Sequence, residues 1–298
     1  MSDTTILLEG LYFGEGPRWH EGRLWFSDFY AHAVSSVDES GAVRIELELD
    51  DQPSGLGWLP DGRLLVVSMK ERALKRLDSN GLVLHADISA LTQHLCNDMV
   101  VDARGVAWVG NFGFDLDAEF RSRGEDVLYD HPTANLVRVE PDGSVHLAAT
   151  DMHFPNGSVI TPDGSTLIVA ETLASCLTAF DINADNSLSN RRVWAQLKNV
   201  SPDGICLNAL NQVWVANARG HEVILVAEGG EILKRVETSQ NCYACMLGGA
   251  DSKTLFCITA AASAAQQASL TATGKIETVR AESPRATTSK GHVPSSSA

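Results

Sequence analysis

The 298-residue sequence has no apolar run approaching the roughly 18 residues of a membrane-crossing helix, so no membrane partner is expected. Cations are scarce. The 23 Lys and Arg face 38 Asp and Glu, and the net charge of -15 sets phosphate repulsion against any nucleic-acid partner. The opening Met1-Ser2-Asp3-Thr4-Thr5 lacks the basic-then-apolar layout of a secretion signal, which makes a cytoplasmic protein the expectation. The six cysteines, at 96, 176, 206, 242, 245 and 257, are irregularly spaced and are expected as reduced thiols. Neither a Gly-x-Ser-x-Gly elbow nor a His-Glu-x-x-His pair occurs, so serine-hydrolase and zincin chemistry lack support. Asp181-Ile182-Asn183-Ala184-Asp185-Asn186 begins like a calcium loop. It has Asn186 where such a loop needs Gly and Arg192 where it needs Glu, and reads as a hairpin turn.

What the chain does contain is a repeat. The strand cores Trp25-Phe26-Ser27, Leu65-Val66-Val67, Trp108-Val109-Gly110, Ile168-Val169-Ala170, Trp214-Val215-Ala216 and Phe256-Cys257-Ile258 follow one another at intervals of about 40 to 60 residues. Tight-turn tetrapeptides precede most of them, among them Pro60-Asp61-Gly62-Arg63 and Pro162-Asp163-Gly164-Ser165, in which Pro presets one φ and Gly accepts a positive one. Further short strands such as Leu74–Leu77 and Leu136–Val139 complete about four per unit, the blade of a propeller. Six units predict an all-β, six-bladed β-propeller over residues 1–281, followed by a disordered Ser/Thr/Pro-rich tail over 282–298. A strand near Thr5–Leu8 is expected to complete the last blade and remove an exposed sheet edge. The polar stretch 112–132 reads as a loop at the channel mouth.

Four motifs recur ahead of these strands: Gly14-Glu15-Gly16-Pro17, Cys96-Asn97-Asp98-Met99, Pro155-Asn156-Gly157-Ser158 and Pro202-Asp203-Gly204-Ile205. Each places an oxygen-bearing side chain about eleven residues ahead of an apolar strand, so Glu15, Asn97, Asn156 and Asp203 occupy one position in successive blades. Equivalent positions of a closed ring converge on its axis. Two carboxylates and two amide carbonyls there suit a hard divalent cation, forming a central metal site. Turn capping could explain any one of these residues alone, but not why the Gly55 and Tyr243 neighbourhoods lack such a group. Asp98 reads first as a buried carboxylate that fixes the Asn97 segment through backbone N–H groups. His153, Phe112, Phe114 and Phe154 could border the pocket or simply pack, and Cys242-Tyr243-Ala244-Cys245 reads as the start of an inner strand.

With these motifs, and with Ala244-Cys245-Met246-Leu247-Gly248-Gly249, the chain from about Glu9 to Ala281 resembles the senescence marker protein, gluconolactonase and luciferin-regenerating-enzyme family. The resemblance implies a six-bladed propeller in which Glu15, Asn156 and Asp203 bind one divalent metal and Asn97 lies beside it, touching metal or substrate. Ca²⁺ is the leading expectation, with Zn²⁺, Mn²⁺ or Mg²⁺ as substitutes. It further implies a metal-dependent lactonase acting on a small lactone, with Asp203 also serving as base. The alternatives are a non-catalytic calcium-binding protein and a hydrolase of another ester or a phosphotriester. One departure bears on substrate. Sugar-lactonase members carry Arg two residues before the Asn, and here that position is Leu95, which favours a less hydroxylated lactone.

Overall fold

A computed structural model describes residues 3–287, and within them the strands assemble into six four-stranded antiparallel sheets. The innermost strands are Gly14–His20, Pro53–Trp58, Cys96–Val101, Pro155–Ile160, Pro202–Leu207 and Asn241–Gly248. Each packs against the next, and the last returns to the first, so the ring is closed. The six apolar cores recognised in the sequence all fall in the second strand of a blade, for example Arg23–Asp28 and Val213–Asn217. Between neighbouring blades lie separate apolar layers. Leu59, Val67 and Met99 fill one, and Ile168, Val215 and Ile224 fill another. A propeller therefore has no single core, and each blade buries one face against each neighbour.

The N-terminal strand Thr5–Leu11 pairs with Gly274–Arg280 and supplies the outer strand of the sixth blade, as expected. Glu277 anchors this seam. Its buried carboxylate accepts from the Thr259 hydroxyl at 2.7 Å, the Ser239 hydroxyl at 2.6 Å and the Thr4 hydroxyl.

Two stretches differ from the sequence expectation. Residues 282–287, assigned from composition to the tail, lie against the end of the channel remote from the four motifs. Arg285 bridges to Asn208, its N–H donates to Ser252 O, and its guanidinium reaches Trp19 O at 3.0 Å. The rest of the expected tail, 288–298, falls outside the described residues. The 112–132 insertion is not a loop throughout. It contains a helix over Leu116–Arg123 and a 3₁₀ turn over Gly124–Leu128. Its charges, which read as loop composition, are helix signals: Asp115 caps the Ala118 N–H, Asp117 and Glu119 occupy the first turn, and Arg121 and Arg123 the last.

Candidate active site

Each inner strand is interrupted by a β-bulge near its start, with register shifts at Glu15/Arg18, Pro53/Leu56, Cys96/Met99, Pro155/Ser158, Pro202/Ile205 and Cys242/Ala244. A bulge twists the strand and re-aims the side chain it carries. Glu15, Asn97, Asn156 and Asp203 are all second residues, so one local distortion turns all four toward the axis. The residue after the ring position is glycine in four blades, at Gly16, Gly55, Gly157 and Gly204, because of the crowding this creates. A Cβ on Gly157 would lie 2.5 Å from Asp203 O, and one on Gly55 would lie 2.3 Å from Met99 N. Backbones this close leave room only for glycine.

The four residues are brought together and buried, at 5% exposure for Glu15, 4% for Asn97, 2% for Asn156 and 7% for Asp203. Asn97 Nδ2 donates to Asn156 Oδ1 at 2.9 Å, and Asn156 Nδ2 donates to Thr172 Oγ1 at 3.2 Å. Thr172 in turn donates to Pro202 O at 2.8 Å, tying the chain of bonds to the strand that carries Asp203. Glu15 Oε2 accepts from the Gly16 N–H at 3.0 Å. Asp203 Oδ1 is buried with no hydrogen-bond partner among the described residues.

Burial pushes the Glu15 carboxyl well above the usual range, and the charges of Asp203 and Asp98 add to the effect. The Asp203 carboxyl is likewise raised, first by burial and then by Asp98, with Asn156 and the Gly204 N–H pulling partly back. Two adjacent buried carboxylates with an orphaned oxygen form a site short of positive charge. Among the described residues no three His, Cys, Asp or Glu side chains gather as a metal site, so any cation here would rely on two carboxylates supplemented by amide oxygen. That donor set fits a hard divalent ion.

Asp98 points away from this role. It accepts from the Met99 N–H at 2.8 Å and from Arg18 Nη2 at 2.8 Å, in agreement with the structural reading of this carboxylate, and Arg18 is a partner the sequence did not reveal. Two further residues were missed. Ser54 and Tyr243 hold the ring position in the remaining two blades, and both are buried. The Ser54 hydroxyl donates to Asn97 Oδ1 at 3.3 Å, while the Tyr243 phenol is raised chiefly by burial and also by the nearby Asp203 and Glu15 charges. Aligning all six inner strands, instead of only the four with Asn or acidic residues, would have exposed them.

Above the ring, five blades repeat one backbone hydrogen bond, from Phe29 N to Phe13 O, Met69 to Gln52, Phe112 to Leu95, Thr172 to Phe154, and Ala218 to Ser201. Each accepting residue lies two before a ring position, just ahead of its inner strand. Phe13, Phe29, Met69, Tyr243, Leu95 and Phe112 join in one apolar cluster, and the Phe112 and Phe154 rings are 4.4 Å apart. The insertion spans this end of the channel. Asp117 accepts from the Ala265 N–H at 3.0 Å and helps to raise the Tyr30 phenol, pushed mainly by burial up to about 12, while Glu125 pairs with Arg219 at 2.5 Å. His153 lies at this mouth, hydrogen-bonded to His131 at 3.0 Å. Cys242 and Cys245 sit in the sixth inner strand, as expected, and all six cysteines are free and buried.

Comparison with known proteins agrees with this architecture. The model of the SMP-30/Gluconolactonase/LRE-like region matches residues 13–262. Regucalcin of Bos taurus is 26% identical over 254 residues, spanning 83% of this chain and 82% of that protein. Pentonolactonase XacC of Haloferax volcanii is 24% identical over 267 residues, 87% of this chain and 86% of that one. A solved luciferin-regenerating enzyme superposes with a TM-score of 0.78 at 17% identity, over 97% of this chain and 98% of its own, a likeness of fold. The chain belongs to the SMP-30/gluconolactonase/LRE-like family.

Proposed function

We propose that the protein is a divalent-metal-dependent lactonase that opens a small lactone to its hydroxy acid. The observation that carries this reading is the buried pair Glu15 and Asp203, both raised by burial and by neighbouring negative charge, beside the unpartnered Asp203 Oδ1. Glu15, Asn156 and Asp203 would hold the ion. Ca²⁺ fits their oxygen donors best, and Zn²⁺, Mn²⁺ or Mg²⁺ could replace it. A bound cation would polarise the lactone carbonyl.

The remaining work falls to the chain itself. Asp203 Oδ1 takes a proton from water as the water oxygen adds to the carbonyl carbon. The ring C–O bond then breaks, and the proton passes to the departing ring oxygen, giving the hydroxy acid. Asn97, fixed by Ser54 and Asn156, orients the substrate beside the ion. The burial of all four residues keeps bulk water out, so that these electrostatic effects act in a low dielectric. The relative named a pentonolactonase supports the reaction class.

The test is acid release from a panel of lactones by metal-stripped protein with single cations restored. Asp203→Ala should lower turnover by about a thousandfold with the fold retained. Turnover independent of cation, or a parental rate in Asp203→Ala, would remove the mechanism. A protein that holds Ca²⁺ without turnover is the second reading, favoured by how completely the ring is covered. Faster hydrolysis of phosphotriesters than of lactones would instead move the same site to another bond.

A further inference from the structure

The collar above the ring is built as regularly as the ring itself, and its chemistry is different. Ten residues make the five repeated hydrogen bonds between inner and second strands. Seven of them are apolar, three are uncharged polar residues, and none is charged. Recognition of a polyhydroxylated ring needs directional donors and acceptors, commonly charged and bidentate. The positions that would supply them are taken by Phe13, Leu95 and Phe154 just ahead of the inner strands and by Phe29, Met69 and Phe112 beside them. Three polar members remain. The Thr172 hydroxyl is committed to Pro202 O, while Gln52 and Ser201, on the second and fifth blades, engage neighbours through their backbone N–H groups.

The aromatic members form connected walls. Phe13 lies 5.3 Å from Phe29 and 4.8 Å from Tyr243, so an apolar surface runs from the first blade to a ring position in the sixth. Across the mouth, the tilted pair Phe112 and Phe154 continues it over the third and fourth blades, next to Asn97 and Asn156. Carboxylates next to the collar are engaged by the protein itself: Asp28 accepts from the Phe13 N–H, Asp51 from the Lys70 N–H and Glu171 from the His153 N–H, while Asp117 accepts from the Ala265 N–H and Glu125 pairs with Arg219. A ligand whose carbonyl reaches the ring and whose remaining atoms run toward the first, third or fourth blade lays them against hydrocarbon.

We propose that this collar selects a lactone bearing an alkyl or aryl substituent, with the ester at the axial ring and the substituent against Phe13, Leu95, Phe112 and Phe154. Transfer of hydrocarbon from water to such a surface favours binding with each carbon added. Hydroxyl groups in the same place would lose their water without gaining partners. The proposal deepens the lactonase reading and rests on it for the word substrate. The ligand class can be tested without turnover.

The experiment is calorimetric binding of non-hydrolysable γ-lactams to the Ca²⁺-loaded protein, comparing a series with substituents of two to eight carbons with a polyhydroxylated lactam. Affinity should rise about fourfold per methylene until the collar is filled, and the polyhydroxylated lactam should bind more weakly than the two-carbon one. Leu95→Arg should flatten the series, while Leu95→Met, which preserves packing, should keep its slope. An affinity that does not change with chain length, or tighter binding of the polyhydroxylated lactam, would overturn the proposal. If the alkyl series bound as described and the matching lactones were not hydrolysed, the ligand class would stand and the hydrolase reading would fall.

Discussion

At the scale of single residues, the site is defined by a conflict between burial and charge. Glu15 and Asp203 both have carboxyl groups raised by burial and by neighbouring negative charge. In the unfolded chain such groups ionise above a pH of about 4, so the metal-free folded protein binds more protons than the unfolded one above that pH. Its stability should consequently fall as pH rises from there toward the raised folded values. His20, His85 and His131, lowered by burial, act in the opposite sense below about 6.5, because there the unfolded chain takes up the extra protons. Comparing parent with Glu15→Gln and Asp203→Asn isolates the pair. In thermal melts of stripped protein at pH 8, both variants should melt higher than the parent and lose much of its alkaline destabilisation. Calcium should stabilise the parent strongly and the variants little. Variants that melt lower than the stripped parent would show that the two carboxylates are not in conflict.

At the scale of elements, the inner strand is the working unit: a bulge, a side chain turned to the axis and, in four of the six blades, a glycine after it. The crowding at that residue separates two kinds of glycine. Gly55→Ala would drive a Cβ to 2.3 Å from Met99 N and should cost about 3 kcal/mol. Gly62→Ala, in an open turn at φ +88°, should cost about 1 kcal/mol from backbone strain alone. Chemical denaturation of the two variants checks the order, and equal costs would contradict the packing argument. The sequence made the ligand half of this unit legible, since Glu15, Asn97, Asn156 and Asp203 announce themselves by type and spacing. Ser54 and Tyr243 escaped because a hydroxyl and a phenol do not look like the other four, although the strand places them identically. The helix Leu116–Arg123 escaped because it buries no side chain, and so has no apolar stripe to betray its period.

At the scale of the whole molecule, the propeller turns local repetition into convergence. Six blades were countable from their second strands, and the N-terminal strand was expected in the sixth because an open ring would leave a sheet edge exposed. What composition could not disclose is contact over long sequence separations. Arg285 reaches Trp19, Arg18 reaches Asp98, and the third-blade insertion reaches Ala265 and Arg219 at the far side of the mouth. No local pattern encodes these pairings, which exist only once the ring has closed. Closure gives the molecule two unlike ends: the four ring residues open toward a collar without charge, while residues 282–287 lie against the other end.

The central claim is that this convergence creates one cation site from Glu15, Asn156 and Asp203. Calorimetric titration of stripped protein with Ca²⁺ tests it most directly. The parent should bind one ion per chain, with proton release that increases as pH falls toward the raised carboxyl values. Asp203→Ala should bind none under the same conditions. Undiminished binding by Asp203→Ala, or no binding by the parent, would contradict the account.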